Sequence, residues 1–214
     1  GIAASLLIYS WVRDELTADK FHADYQNIYR VTTLNKEDGS FISKVSVAAT
    51  LPGNLVKDFP QIVDGTFINH FGSNSPFLYK DELLELNEVG TGSNFFQFFS
   101  FPVLSGSAAD YKNIPNAAVL SEAAALKLFG SGNAVGEVLI MRKHWGEIQI
   151  PFRVVAVVRI PYASHIQFDI AVNMEYYMRQ VGSYEAYFGT GKYTAKESYA
   201  YIKTDSKSSF THES

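Results

Sequence analysis

The chain has 214 residues, of which 47% are hydrophobic and 19% are charged, and its formal net charge at pH 7 is -4. This length and composition provide enough apolar side chains for one large or two small folded domains. The acidic balance supplies no basic field for phosphates and argues against nucleic-acid binding. Because the chain contains no cysteine, disulfides, thiol catalysis and cysteine-ligated metal sites are excluded.

The chain opens with an uncharged apolar run, Ile2–Val12, which is about half the length of a membrane-spanning helix. No basic leader or small-residue cleavage site accompanies it, which argues against a signal peptide. Two alternatives stay open on local sequence: the end of a truncated span and a buried core helix. Tyr9 and Trp11 at the polar edge favour the membrane. Because the chain begins at Gly1 inside this run, we expect that it was cut from a longer protein.

The next sixty residues predict a helix followed by a strand–helix–strand unit. Thr17 is placed to cap a helix whose apolar residues Phe21, Tyr25 and Ile28 share one face. Asp38-Gly39 predicts a hairpin turn, and Thr50 a cap for the second helix. The helix is expected over Pro52–Phe59. Strands are expected over Tyr29–Leu34, Phe41–Ala49 and Val63–Phe71.

The last fifty residues repeat this order. Ile166–Val172 predicts a strand, Asn173 caps a helix that runs to about Val181, and Tyr199–Thr204 predicts a second strand. Two such units at opposite ends of the chain are expected to share one sheet, with parallel neighbours joined by right-handed crossovers.

The middle of the chain has a different texture and predicts an inserted, β-rich lobe. The turn-rich segment 72–76 opens it, and the apolar segment Phe77–Tyr79 and a strand predicted over Leu83–Val89 follow. Ser121 caps a helix that ends at Gly130. A hairpin is then expected around His144-Trp145-Gly146, formed by the strands Gly136–Ile140 and Ile148–Arg159, with Pro151 at an edge or bulge.

No arrangement of residues indicates catalysis. The histidines lack the spacing of a metal site, and each is expected to be structural or on the surface: His22, His70, His144 and His165. Glu82, Glu85 and Glu88 are interpreted as a solvated strand face or turn. The phenylalanines between positions 95 and 101 cover every face of a short helix, which favours a buried core or hinge over a lipid-binding surface. His144 and Trp145 are the better candidates for an exposed contact with a partner.

Several short strings, taken together and in order, resemble the MacB-type periplasmic core domain of FtsX-like ABC transporter permeases. They cover roughly nine-tenths of the chain: Asp19-Lys20-Phe21-His22, Ile28-Tyr29-Arg30-Val31, Ala49-Thr50-Leu51-Pro52, Asp58-Phe59-Pro60, Asn94-Phe95-Phe96, Phe99-Ser100-Phe101-Pro102, Val119-Leu120-Ser121-Glu122, Leu128-Phe129-Gly130, Val135-Gly136 and Ser164-His165-Ile166-Gln167-Phe168-Asp169. The resemblance implies structural roles for Phe21, His22, Tyr29, Arg30, Phe95, Phe96, Phe101, Pro102, Gly130, Gly136, His165 and Phe168.

The resemblance implies an α+β fold of two lobes. A discontinuous porter-like lobe of two strand–helix–strand units would comprise residues 13–71 and 165–206. A β-rich, sabre-like lobe would be inserted at 72–164. Residues 1–12 would be the outer end of a first transmembrane helix, which favours the membrane interpretation of the apolar run, and residues 207–214 a frayed tail.

The family also implies a function. The chain would be the extracytoplasmic domain of an inner-membrane permease, on the periplasmic side, that transmits ATP-driven conformational change to export or release a substrate. Its expected partners are a separate cytoplasmic ABC ATPase, a second permease copy, the membrane through flanking helices and, as a further candidate, a periplasmic adaptor protein. No cofactor, catalytic residue or nucleic acid is expected. A continuous helix over Ile2–Asn27 would be the lever. The alternative is a soluble periplasmic binding or adhesion module without a transport role.

Overall fold

A computed structural model of the chain describes residues 19–37, 40–130, 133–143, 147–189 and 198–205. In these residues a large mixed sheet carries short helices on both faces, and a two-stranded hairpin stands apart from it. The fold is therefore α+β, as the sequence predicts, and strands dominate it. No helix in this part of the chain is long and apolar enough to cross a membrane.

The elements follow one another in this order: a 3₁₀ turn (Tyr25–Asn27), β1 (Ile28–Val31), β2 (Thr33–Glu37), β3 (Ser40–Lys44), α1 (Leu51–Asp58), β4 (Ile62–Tyr79), β5 (Glu82–Thr91), α2 (Phe95–Phe98), β6 (Val103–Gly106), α3 (Asp110–Asn113), β7 (Ala117–Ser121), α4 (Glu122–Phe129), β8 (Val138–Lys143), β9 (Ile148–Val158), β10 (Ile170–Asn173), α5 (Met174–Gln180), α6 (Tyr184–Phe188) and β11 (Tyr199–Thr204).

Six strands of the large sheet close into a hydrogen-bonded ring. β4, β5, β10, β7 and β9 pair in succession, and β8 joins β9 back to β4. β6 extends the sheet beside β9, while β11 and then β1 extend it beside β4. β7 is buried at all five positions because it has a partner on each side and a core on each face.

β4 is a single strand of 18 residues, about 60 Å long at roughly 3.3 Å per residue. It pairs with β11 over Ile62–Ile68 and with β8 at Phe77 and Leu78. The turn predicted at 72–76 is wrong. Between His70 and Asn74, β4 advances four residues while its partner β5 advances two. The small, turn-favouring residues therefore form an irregular, bulged stretch inside a continuous strand.

The helix predicted after Thr17 does not continue into the described residues. Asp19 and Asp24 both have φ of 59°, in the left-handed region, which interrupts a right-handed helix. Residues 19–24 form turns that lead to the 3₁₀ turn, and Ile28 already belongs to β1. The helical face of Phe21, Tyr25 and Ile28 is thus wrong, and so is the continuous helix to Asn27. The predicted outer end of a transmembrane helix at 1–12 lies outside the described residues.

The strands of the two terminal units are expected to pair in parallel, but β11 pairs with its neighbours in the antiparallel direction. β11 lies between β1 and β4 and is antiparallel to both. The two strand–helix–strand units therefore interleave: β1 and β4 have the same direction with β11 between them. β10 starts only at Ile170, although the strand is predicted from Ile166.

Local signals are mostly confirmed. The Ser121 side chain accepts from the N–H of Ala124 at 3.1 Å, and that of Asn173 accepts from Tyr176 at 3.2 Å, so both predicted caps form. Gly130 ends α4 with φ of 66°. Thr50 precedes α1 but makes no side-chain cap.

Both predicted hairpins form. Glu37 pairs with Ser40 at the end of β2–β3, and Lys143 pairs with Ile148 at the end of β8–β9, whereas the predicted turn residues Asp38-Gly39 lie outside the described residues. Pro151 is paired only with β8, because β7 joins β9 from Arg153 onward, so it lies at an edge as predicted.

Each face of the sheet carries a core. The first core joins β4, β5 and β7–β10 to α4, α5 and α6. The second core lies on the opposite face and contains the phenylalanines of α2 and the loop after it. Phe95, Phe98 and Phe99 are at most 1% exposed, which confirms the core interpretation of this cluster.

Gly106 at the end of β6 offers a test of this packing. Its φ is +76°, and a Cβ there would overlap with the carbonyl oxygen of Val155 on β9. We expect Gly106→Ala to lower the free energy of unfolding by about 3 kcal/mol, from the left-handed backbone and the overlap together. Gly130→Ala is the matched control, because it has a similar φ of +66° in open space. It should cost about 1 kcal/mol. Equal losses in urea unfolding would contradict this account of the β6–β9 contact.

Candidate functional site

The described chain begins at Asp19, and the carboxylate of this residue is bound twice by His165. One oxygen, Oδ1, accepts from the backbone N–H of His165 at 3.1 Å, and Oδ2 lies 2.5 Å from its Nδ1. The backbone N–H of Asp19 donates to the carbonyl of Ala163 at 3.1 Å. These contacts attach the entry segment, residues 19–24, to the loop that leads into β10.

The contact continues into the sheet. Nε2 of His165 lies 2.8 Å from the hydroxyl of Tyr201 on β11, and Arg30 on β1 hydrogen-bonds to the same side chain. Nδ1 of His165 therefore binds Asp19 and Nε2 binds the Tyr201 hydroxyl, and in the second pair either atom can be the donor. We call the four residues Asp19, His165, Tyr201 and Arg30 the clasp. It joins the entry segment, the loop before β10, β11 and β1.

The protonation states in the clasp follow from burial and hydrogen bonding. Burial pushes the pKa of Asp19 upward, but the hydrogen bonds and charge of His165 outweigh it, and the pKa lies below its ordinary value. Burial raises the pKa of Tyr201 to about 12. At neutral pH the clasp therefore contains a carboxylate at Asp19 and a protonated phenol at Tyr201.

His22 lies beside the clasp and is only 3% exposed. Its Nδ1 accepts from the backbone N–H of Ser100 at 3.1 Å, so the neutral ring carries its proton on Nε2. Burial lowers the pKa of His22 to about 4, although the charge of Asp19 opposes the shift. The imidazole packs against Phe21, Phe99 and Phe101, with ring centroids 3.9, 4.9 and 5.0 Å away. The entry segment is thus seated on the second core.

The structure brings most of the predicted family residues to this region. Phe21, His22, Arg30 and His165 lie at the clasp or beside it, and Phe95, Phe96, Phe101 and Phe168 form the aromatic part of the second core. Tyr29 alternates with Arg30 along β1 and so points to the other face of that strand.

Other predicted residues lie apart from the clasp. Gly130 ends α4, and Gly136 precedes β8 with φ of 95°. The carbonyl of Pro102 accepts from the backbone N–H of Arg159 at 2.9 Å. His144 and Trp145, the predicted partner contact, lie outside the described residues.

Two clasp residues carry no role in the sequence prediction. Asp19 stands in a family string without an implied role, and Tyr201 is predicted only as part of the strand Tyr199–Thr204. The alternation of Tyr199 and Tyr201 places both on one face of β11, which is a weak signal that one of them is buried. Tyr201 is 4% exposed.

The interpretation of Glu88 as solvated is wrong. It is 1% exposed, on the face of β5 where Ser75 and Lys143 contact its carboxylate. Lys143 lies 3.4 Å from its carboxylate and donates to Ser75 at 2.9 Å. Burial raises the pKa of Glu88 despite the nearby ammonium. Glu82 and Glu85 are exposed, as predicted.

A metal site requires several ligand side chains close together. Across the ranges that the structure describes, no group of three histidine or acidic side chains is arranged to hold a metal ion.

The neutral state of His22 generates a pH-dependence. Because its folded pKa of about 4 is below the ordinary value of 6.5, the unfolded chain takes up a proton first as the pH falls. The free energy of unfolding should therefore fall between pH 6.5 and 4, by at most about 1.4 kcal/mol per pH unit from this group. His22→Gln, which retains an acceptor for Ser100, should lack this contribution. Urea unfolding at pH 6.5 and 5 measures it, and equal pH slopes in both proteins would contradict the assignment.

Several solved structures have a fold similar to that of this chain. No curated protein sequence matches the chain. Among solved structures, a domain described as belonging to a permease protein of Porphyromonas gingivalis has a TM-score of 0.70 at 17% identity, over 89% of this chain and 78% of that one. The periplasmic region of MacB from Actinobacillus actinomycetemcomitans has a TM-score of 0.57 at 15% identity, over 92% and 79%.

A third structure and a sequence profile agree with these. The extracellular domain of the noncanonic ABC-type transporter YknZ from Gram-positive bacteria has a TM-score of 0.56 at 14% identity, over 84% of each chain. At these identities the likeness shows the fold. The sequence profile of the MacB-like periplasmic core domain matches residues 1–211, and the chain belongs to this family.

Proposed function

We propose that this periplasmic domain carries ATP-driven movement from the membrane part of an ABC permease outward, to export or release a substrate. Family membership provides the frame, a MacB-like periplasmic domain of a permease that works with an ATPase. The mechanical role is inferred from how the strands connect the two ends of the domain.

The observation that carries the proposal is the position of the chain's entry and exit. Ile28 at the start of β1 pairs with Lys203 near the end of β11, so the polypeptide enters and leaves the sheet at the same end. Asp24 lies 3.9 Å from Lys203 at this place. Two membrane helices that flank the domain would act on neighbouring, hydrogen-bonded strands.

A continuous strand leads from that end to the far side of the ring. β4 pairs with β11 from Ile62 and with β8 as far as Leu78, at most about 50 Å along the strand. Close-packed cores transmit strain because they have few voids to absorb it. In this proposal β4 is the lever, in place of a helix over the first 27 residues, and the clasp holds the entry segment to it through β11.

The remaining expectations complete the proposal. ATP would be hydrolysed by a separate cytoplasmic ABC ATPase, and a second permease copy and a periplasmic adaptor would be further partners. The domain would lie on the periplasmic side of the inner membrane, attached through flanking transmembrane helices. Residues 13–71 with 165–206 would act as the porter-like lobe, and residues 72–164 as the sabre-like lobe.

The test uses the full-length permease with its ATPase in nanodiscs. One dye is attached through Asp81→Cys in the β4–β5 turn and another to the ATPase, and energy transfer is measured with and without ATP. We expect ATP to change the energy transfer in the permease that has an intact clasp. Asp19→Ala should reduce this change while ATP hydrolysis continues, because the entry segment is no longer held to His165.

A matched control breaks another doubly hydrogen-bonded carboxylate contact, away from this path. Arg159 donates two hydrogen bonds to Glu122, at 2.8 and 3.0 Å, on the exposed side of α4. Glu122→Gln should leave the ATP-dependent change intact. An unchanged signal in Asp19→Ala, or an equal loss in both variants, would contradict the mechanical role of the clasp.

A further inference from the structure

We propose that the cleft beside the clasp is a binding site for an oxyanion, the phosphate or carboxylate group of a small amphipathic molecule. This inference does not rest on the transport role. It is carried by a buried hydrogen-bond donor without an acceptor, by the cation next to it, and by the apolar wall of the same cleft.

The unpaired donor is the imidazole of His22. Its Nδ1 is occupied by the N–H of Ser100, so the ring proton is on Nε2. Nε2 is buried and has no hydrogen-bond partner among the described residues. Buried donors are nearly always satisfied by protein, water or ligand, so this N–H indicates a missing acceptor. His22 lines a cleft of about 330 Å³, at the lower end of the range for small-molecule sites.

The charges at the cleft select an anion. Arg30 lines it and supplies a fixed positive charge with several donors. The carboxylate of Asp19 also lines it, but both of its oxygens already accept from His165. Lys203 acts on His22 from outside the cleft, and Asp24 lies 3.9 Å from its ammonium. The groups left to interact with a ligand thus include the guanidinium of Arg30 and the Nε2–H of His22, which match the acceptor oxygens of a phosphate or carboxylate.

The apolar part of the cleft indicates that the anion carries a hydrocarbon group. Ile28 and Phe99 form one wall, and Tyr25, which is 38% exposed, stands at the opening. A free phosphate would leave these surfaces in contact with water, whereas an alkyl chain would cover them. Hexyl phosphate combines both chemistries and is a suitable probe. Inorganic phosphate and 1-hexanol each provide one of them.

The experiment is a calorimetric titration of the 214-residue chain with the three probes at pH 7, together with ¹⁵N NMR of the histidine side chains. We expect hexyl phosphate to bind more tightly than inorganic phosphate and 1-hexanol not to bind, and the Nε2–H signal of His22 to shift on saturation. Arg30→Gln should weaken the binding of hexyl phosphate about tenfold or more, as expected for a hydrogen-bonded charge pair. Arg153→Gln, on an exposed position of β9, is the matched control and should not change affinity.

The outcomes separate the sources of the anion. Equal affinity for inorganic and hexyl phosphate would assign the site to a free oxyanion and overturn the amphipathic part. No binding of any anion, or equal weakening by Arg30→Gln and Arg153→Gln, would overturn the site. Thermal unfolding of each variant shows that the fold is retained. Because the assay needs neither ATPase nor membrane, its failure is distinguishable from failure of the mechanical proposal.

Discussion

Asp19 and His165 are 146 positions apart, and the two hydrogen bonds between them attach the entry segment to the loop before β10. The left-handed backbone at Asp19 turns its carboxylate toward the loop before β10, and Tyr201 continues the contact into β11. A carboxylate that is 28% exposed and doubly hydrogen-bonded is both charged and fixed in direction. The entry segment is therefore oriented by specific polar contacts, in addition to its packing on the second core.

The strand order connects the Asp19–His165 contact to the rest of the sheet. β11 lies between β1 and β4, so the clasp reaches the longest strand of the molecule through one layer of backbone hydrogen bonds. β4 in turn belongs to a closed ring, which has no free edge along which its strands could slide. In the mechanism that we propose, a displacement at the clasp would move the ring as a body. The same place contains the cleft with Arg30 and the unpaired N–H of His22, so an anion there would act on the entry segment directly.

Features that depend on neighbouring residues could be predicted from sequence. The caps at Ser121 and Asn173 and the glycine at 130 act within one turn of helix, and the two hairpins have loops of a few residues. Features that depend on distant partners could not. The left-handed Asp19 gains its stability from His165, and the turn-like residues at 72–76 stay extended because β5 lies beside them. The family strings include His22 and His165, but only the fold shows that both residues line the same cleft.

The central claim is that Asp19 and His165 stabilise the fold as a pair. Urea unfolding at pH 7 of the native chain, Asp19→Ala, His165→Ala and the double variant measures this directly, because the cycle removes the effects that each residue has alone. A coupling energy of about 1 kcal/mol or more is predicted, since both side chains and a charge take part. Additive losses would show that the two residues act independently, and would contradict the claim that the Asp19–His165 contact holds the entry segment in place.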